Sequence, residues 1–223
     1  MYRAGIDVGG TFTDVVLMDH QGLVVMTHKV PSTPASPQEA VLQGLSEALE
    51  KAGAPPADLD VVAHGNTLGV NAVIQRRGAE VVLLTTAGFG DVLELARLRM
   101  SDPLALVPRR PRPMVPRNRV FEVSERTSAA GSVRQRLDVE QLRETLKDIP
   151  VSNQTAVAIA FLNSYANDAN EKAARAEVQA AFPNLPVVTS SELWPEAREY
   201  ERTLFTVMNA FLVPVMRVYY EKL

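Results

Sequence analysis

Gly5-Ile6-Asp7-Val8-Gly9-Gly10-Thr11-Phe12-Thr13-Asp14 is the stretch on which the reading of this 223-residue chain turns. It joins two apolar runs, Ala4 to Val8 and Phe12 to Met18, so it reads as strand, tight turn, strand. It lacks the lysine of a P-loop and the G-x-G-x-x-G spacing of a dinucleotide fold, and both of those motifs lead from a strand into a helix. Adjacent glycines followed by hydroxyl residues leave backbone N–H groups bare, and bare N–H groups can converge on phosphate oxygens. Asp7, at the end of the first strand, is placed to hold Mg2+ through water. The same letters also spell a plain β-hairpin whose glycines only make the turn, and spacing alone does not separate the two readings.

Working outward, Gln21-Gly22 turns the chain into a third short run, Leu23 to His28, which predicts an antiparallel meander. Ser36, Pro37 and Glu39 predict an N-cap, a first-turn proline and a capping box. Val41, Leu42, Leu45 and Leu49 follow at helical spacing, and Gly53 ends the run. Asp60 to Ala63 reads as a buried strand, Asn71 to Arg77 as a helix, Glu80 to Thr86 as a strand and Asp91 to Arg99 as a helix. Residues 1–100 are thus expected to form one layered α/β body.

Residues 101–120 differ in kind. Five prolines between Pro103 and Pro116 exclude an interior helix or central strand and predict an extended crossing segment. Seven arginines lie from Arg97 to Arg119 against one acid, Asp102, which reads as an ion-pairing surface or, alternatively, as a contact for phosphate or an anionic substrate. A second α/β unit is expected over 121–223. Its strands are Arg119 to Ser124, Thr155 to Leu162 and Val187 to Thr189; its helices run from Asp138 to Lys147 and from Asn170 to Phe182. Its tail, Pro195 to Leu223, is helical by pattern, with Pro214 as a kink or break.

Bulk properties narrow the function classes. With 46% apolar and 22% charged residues the chain has the composition of a globular domain. A net charge of -3 gives no general attraction to nucleic acid or to an anionic membrane. The absence of cysteine removes disulfides, thiolate metal sites and cysteine nucleophiles. No stretch reads as approaching the ~20 apolar residues of a membrane span. Met1-Tyr2-Arg3 leads straight into a strand without a signal-peptide core, so the expected location is cytoplasmic.

Gly5 to Val16 resembles, almost letter for letter, the opening of the hydantoinase A / 5-oxoprolinase / acetone carboxylase β-subunit family of actin-like ATPases. His64-Gly65-Asn66-Thr67 with Asn71-Ala72 resembles that family's H-G-T-T-x-x-T-N-A, and Gly88 to Glu94 its G-F-R-D-V-L-E. Glu122-Val123 with Glu125-Arg126, Ser164-Tyr165-Ala166-Asn167, and Glu199 to Thr203 with Asn209-Ala210 match later blocks in order.

The resemblance implies an α/β, actin-like (ribonuclease H-like) nucleotide-binding fold: an N-terminal lobe with a mixed sheet, plus a second, smaller α/β unit. It implies ATP and Mg2+ as cofactors, a cyclic amide as substrate, and phosphorylation of the amide oxygen to drive ring opening. A hydantoinase B-like subunit and a C-terminal ATP lobe are the implied partners. No second Asp-x-Gly-Gly block follows residue 14, so the chain is expected to be a fragment, inactive alone.

By the same resemblance Asp7 serves the metal, Gly9, Gly10, Thr11 and Thr13 meet phosphates, and His64 joins Asp7 as a catalytic candidate. Asn66, Thr67 and Asn71 are candidates for substrate binding, with helix capping as the alternative for Asn71. Asp14 fits either the site or the bracing of the hairpin. Departures at Asn66, Val70, Asn163 and Leu204-Phe205 mean that substrate choice cannot be inherited. Two other readings remain: a different actin-like kinase, and a non-catalytic nucleotide-binding or assembly domain.

Overall fold

The computed structural model describes residues 1–98, 104–107 and 112–223. They fall into two compact units, Met1–Arg77 with Val215–Leu223, and Gly78–Pro214.

The first unit runs β1 (Tyr2–Val8), β2 (Phe12–Asp19), β3 (Val24–Pro31), α1 (Pro37–Ala52), β4 (Leu59–Asn66) and α2 (Leu68–Gln75). The strand order is β3-β2-β1-β4. The first three strands form the expected antiparallel meander, and β4 returns through α1 to pair parallel with β1. The α/β class and mixed sheet expected from the sequence are therefore present. Ala4, Ile6, Val8, Val15 and Leu17 alternate onto one face, where Val41, Ala48 and Leu49 of α1 complete a core. A Cβ at Gly44 would meet Val15 at 3.0 Å, so this glycine lets α1 approach the sheet.

Three local expectations change. Ser36 is the N-cap residue of α1 but forms no side-chain cap; Thr33 Oγ1 instead donates to the Ser36 carbonyl at 2.6 Å. Leu42 points to solvent rather than into the core. β4 is an edge strand with Val61 and Val62 46% and 47% exposed, because an apolar run by itself does not distinguish a central strand from an edge. The sheet face opposite α1 carries Gly5, Asp7, Asp14 and Val16 and is open among the described residues.

The second unit comprises β5 (Glu80–Thr86), α3 (Val92–Leu95), β6 (Val120–Val123), β7 (Arg126–Thr127), β8 (Val133–Gln135), α4 (Val139–Lys147), β9 (Thr155–Ala160), α5 (Ala169–Ala181), β10 (Val187–Thr189), α6 (Ser190–Leu193) and most of α7 (Glu199–Lys222). Its main sheet is wholly parallel, in the order β10-β9-β5-β6, with β7-β8 a small hairpin. Leu142 and Leu146 of α4 and Ala174 and Val178 of α5 pack with Val82, Leu84, Val157 and Ile159. Asp138 caps α4 as expected, accepting from Gln141 N–H at 2.9 Å.

β5 was expected in the first body. Every residue from Val81 to Thr86 is buried, and such a strand needs neighbours on both sides, which β9 and β6 supply. The boundary therefore lies at Arg77/Gly78 rather than near residue 100, and the second unit is the larger, not the smaller.

α3 is shorter than expected: Ala96, Arg97 and Leu98 take left-handed φ values of 45°, 54° and 58°, which stop a helix. Arg99, Arg109 and Arg110, with Pro103, Pro108 and Pro111, lie outside the described residues. Of the remaining arginines, Arg97 pairs with Glu201 at 2.7 Å, Arg117 with Asp91 and Glu122, and Arg119 with Glu80. For these three the ion-pairing reading holds.

α7 corrects the membrane expectation in one respect. It is a 24-residue helix with a window of mean hydropathy 1.2, long and apolar enough by length and composition to span a bilayer. Its middle is apolar and its charges cluster at the ends, and Val207, Ala210, Phe211 and Tyr219 are buried within this protein. Pro214 lies inside the helix without ending it.

Candidate functional site

The tip between β1 and β2 is held by few bonds. Gly9 N–H donates to the Phe12 carbonyl at 3.0 Å, closing the turn. A Cβ at Gly9 would lie 2.9 Å from that carbonyl, so this position requires glycine. Gly10 differs: its φ is ordinary and a Cβ there would meet nothing within 4 Å. The chain itself does not demand glycine at residue 10. Gly10 and Thr11 are exposed, and their N–H groups donate to no group among the described residues. The tip is thus neither packed shut nor saturated, as an anion-binding turn requires.

The tip is fastened to the segment between β3 and α1. Ser32 N–H donates to the Thr11 carbonyl at 2.9 Å, and Ser32 Oγ donates to the Gly9 carbonyl at 2.8 Å. Thr13 Oγ1 lies 3.0 Å from Ser32 Oγ. The single Ser32 hydroxyl proton is already given to Gly9, so Thr13 is the donor in that contact. Thr13 is fully buried, and the phosphate contact expected of it has no exposed atom to make it. Its role is to brace the hairpin.

A depression of about 430 Å³ opens beside the tip, lined by Gly9, Gly10, Thr33, Thr67, Asn71 and Arg77 among others. Among the described residues, Arg77 is the one charged residue that lines it and no carboxylate does. Thr67 begins α2, with its N–H and hydroxyl each 3.4 Å from the Val8 carbonyl. Asn66 Oδ1 accepts Leu68 N–H at 3.2 Å, and Asn71 Nδ2 donates to Thr67 Oγ1 at 3.2 Å. Asn66 therefore works as a local cap, and Asn71 is tied to Thr67 at the pocket wall. Sequence reasoning missed Ser32, Thr33 and Arg77. The Ser-Thr-Pro step ahead of α1 was the available signal for the first two, whereas nothing local marks Arg77.

Asp7 and Asp14 face each other across β1 and β2 on the open face, in a second depression of about 490 Å³. Lys29 pairs with Asp14 at 3.0 Å and sits 5.2 Å from the Phe12 ring centroid. Gly65 is beside Asp7: a Cβ there would be 3.7 Å from Asp7 Oδ1. Asp7 and the tip amides thus line different depressions, and among the described residues no group of three or more His, Cys, Asp or Glu forms a metal cage. A single exposed carboxylate still suits Mg2+, which binds through one or two carboxylates and retained waters. His64 is half-buried; its Nε2 is hydrogen-bonded to Tyr219 Oη and the rings stack at 5.4 Å. Burial raises the Tyr219 pKa above the ordinary tyrosine value.

In the second unit the residues of the later sequence blocks hold one another. Glu125 accepts from Thr86 Oγ1 and from Asn170 Nδ2, and burial raises its pKa above the usual carboxylate range despite those bonds. Glu171 accepts from Phe161 N–H, Ser190 Oγ and Ser191 N–H. Arg202, 1% exposed, donates to Ser190 Oγ, the Glu196 carbonyl and the Phe161 carbonyl, with Tyr165 over its guanidinium. Asn167 fastens the β7-β8 turn through the Gly131 carbonyl. These groups are largely enclosed and hydrogen-bonded to one another, and the cavity beside Arg202 and Phe161 is only about 10 Å³.

The profile of the hydantoinase/oxoprolinase N-terminal region matches residues 3–182. The α subunit of caprolactamase from Pseudomonas jessenii is 38% identical over 228 residues, covering all of this chain and 33% of that protein. The acetone carboxylase β subunit of Xanthobacter autotrophicus is 28% identical over 93% of this chain and 31% of its own length. The crystal structure of the ATP-dependent caprolactamase from P. jessenii superposes with a TM-score of 0.86 at 37% identity, covering 99% of this chain and 33% of that one. Nucleotide-free acetone carboxylase superposes at 0.83 with 26% identity, over 99% and 34% of the two chains. This chain spans about a third of the length of these relatives. A match over so much of the chain, in sequence and in backbone alike, makes it a member of the hydantoinase/oxoprolinase family, corresponding to that family's N-terminal region.

Proposed function

We propose that this chain is the phosphate-gripping N-terminal part of an ATP-dependent enzyme that activates a cyclic amide by phosphorylating its oxygen. The observation that carries the reading is the bare N–H of Gly10, with that of Thr11 next to it, at a pocket where Gly10 lines the wall and Arg77 is the charged residue among the described lining residues. The relative that is an ATP-dependent caprolactamase supports both the nucleotide and the class of substrate. Bound ATP would supply its γ-phosphoryl group to the amide oxygen, with ADP released as the β–γ bond breaks, so that the resonance-stabilised oxygen becomes part of a leaving group.

The contribution of these residues is positioning and charge stabilisation, as in phosphoryl transfer generally. The Gly10 and Thr11 amides receive phosphate oxygens, Arg77 offsets their charge, and Thr67 and Asn71 shape the adjoining wall. Asp7 holds Mg2+ through water. His64, with its Nε2 occupied by Tyr219, keeps the end of α7 in place rather than moving a proton. The remaining two thirds of such a protein supply the rest of the nucleotide site. Because several relatives are named as subunits, a partner subunit completes the assembly.

Gly10→Val tests the reading in the full-length protein. The added Cβ meets nothing within 4 Å, so thermal stability should change little, while ATP affinity measured calorimetrically with Mg2+ should fall by at least tenfold. Undiminished ATP binding by this variant would refute the proposed grip.

A further inference from the structure

We propose that Ser32 is a positioning residue for the nucleotide site: by holding the Gly9 carbonyl it fixes the direction in which the Gly10 N–H meets phosphate. The inference rests on the phosphate-grip reading and deepens it.

A peptide unit is planar, so anchoring a carbonyl oxygen fixes the direction of the N–H that follows it. Ser32 holds two carbonyls of the tip, Gly9 through its hydroxyl at 2.8 Å and Thr11 through its N–H at 2.9 Å. The Gly9 carbonyl belongs to the same peptide plane as the Gly10 N–H. With that carbonyl drawn toward Ser32, the Gly10 N–H points the opposite way. The Thr11 carbonyl, similarly tied, fixes the peptide that leaves the tip. Apart from these bonds the turn has, among the described residues, its own closure, Gly9 N–H to Phe12, and glycine pairs are the least constrained backbone available.

The hydroxyl chain is polarised in one direction. Thr13 donates to Ser32 and Ser32 donates to the Gly9 carbonyl, with Thr13 fully enclosed at the far end. Ser32 cannot turn its proton elsewhere without leaving both the Gly9 carbonyl and the Thr13 hydroxyl badly placed. Ser32 is itself anchored, because Thr33 Oγ1 bonds the Ser36 carbonyl and Ser36 N–H bonds the Thr33 carbonyl, which stiffens the step into α1. The tip therefore inherits the rigidity of a 16-residue helix that packs across the sheet. Preorganised amides bind an anion without first having to be ordered.

Ser32→Ala removes only the hydroxyl, and Ser32→Thr restores it. In the full-length protein, Ser32→Ala should raise the Kd and KM for MgATP about tenfold, the scale of one orienting hydrogen bond. The kcat should hold within about threefold, as expected when uniform binding is lost. Ser32→Thr should recover nucleotide affinity to within about threefold of the parent. The inference is overturned if Ser32→Ala binds MgATP like the parent, or if Ser32→Thr binds as poorly as Ser32→Ala whatever their melting temperatures. Gly10→Val run in parallel separates the two levels: if it loses ATP while Ser32→Ala does not, the grip stands and the role of Ser32 falls. If neither loses ATP, both fall.

Discussion

Arg202→Met is the most demanding test of how the second unit is built. The guanidinium is 1% exposed and divides its protons among Ser190 Oγ at 3.1 Å, the Glu196 carbonyl at 3.0 Å and the Phe161 carbonyl at 2.6 Å. Ser190 passes that interaction on to the buried Glu171 carboxylate at 2.6 Å, so a hydroxyl bridges two buried opposite charges. Methionine fills the volume of the stem but strands two carbonyls and leaves Glu171 without its nearest cation. Removing one partner of a buried charge pair costs about 3–5 kcal/mol. Spread over a chain of this size, that lowers the melting temperature by roughly 10 °C. Trp194, the single tryptophan, donates its backbone N–H to the Ser190 carbonyl, and its ring packs edge-on against Phe205 at 5.6 Å. Its fluorescence in a urea titration therefore reports on the affected region. Arg202→Lys, which keeps the charge but loses the fork, should fall between parent and methionine variant. A loss below about 1 kcal/mol for Arg202→Met at an unchanged m-value would show that the network does not hold the unit together.

Other outcomes follow from the same geometry. Burial raises the folded-state pKa of Glu125 above the ordinary 4.5, so its contribution to stability is fullest below that pH and is lost as pH rises through the raised value. Glu125→Gln should flatten that part of the urea-midpoint profile, and a variant with the parent's slope would rule Glu125 out as its source. Gly78→Ala places a Cβ 2.4 Å from the ring of buried Phe211 and should cost about 1–3 kcal/mol in a thermal melt. Gly5→Ala, whose Cβ meets nothing within 4 Å, is the matched control and should be neutral or stabilising; equal losses in both would refute the steric argument.

The letters of the chain determined much of what depends on neighbours a few residues apart, although the Ser36 cap and the length of α3 came out differently. The meander around Gly9-Gly10, the proline and left-handed glycine bounding α1 and the Asp138 cap are all local chemistry. The ordered blocks from Asp7 to Thr203 were likewise enough to indicate the family. Which strands become neighbours was not legible, because a run such as Glu80–Thr86 says that it is buried but not beside what. For the same reason β4 read as buried when it is an edge. The site shows the same division. Gly10 and Thr11 could be named from sequence because a turn exposes its own amides. Ser32, nineteen residues from Thr13 and twenty-three from Gly9, joins the tip only when β3 returns alongside β2. Thr13 changed from phosphate ligand to brace at that same step. A hydrogen bond across such a separation is decided by the three-dimensional path of the chain, and only the tertiary structure contains that path.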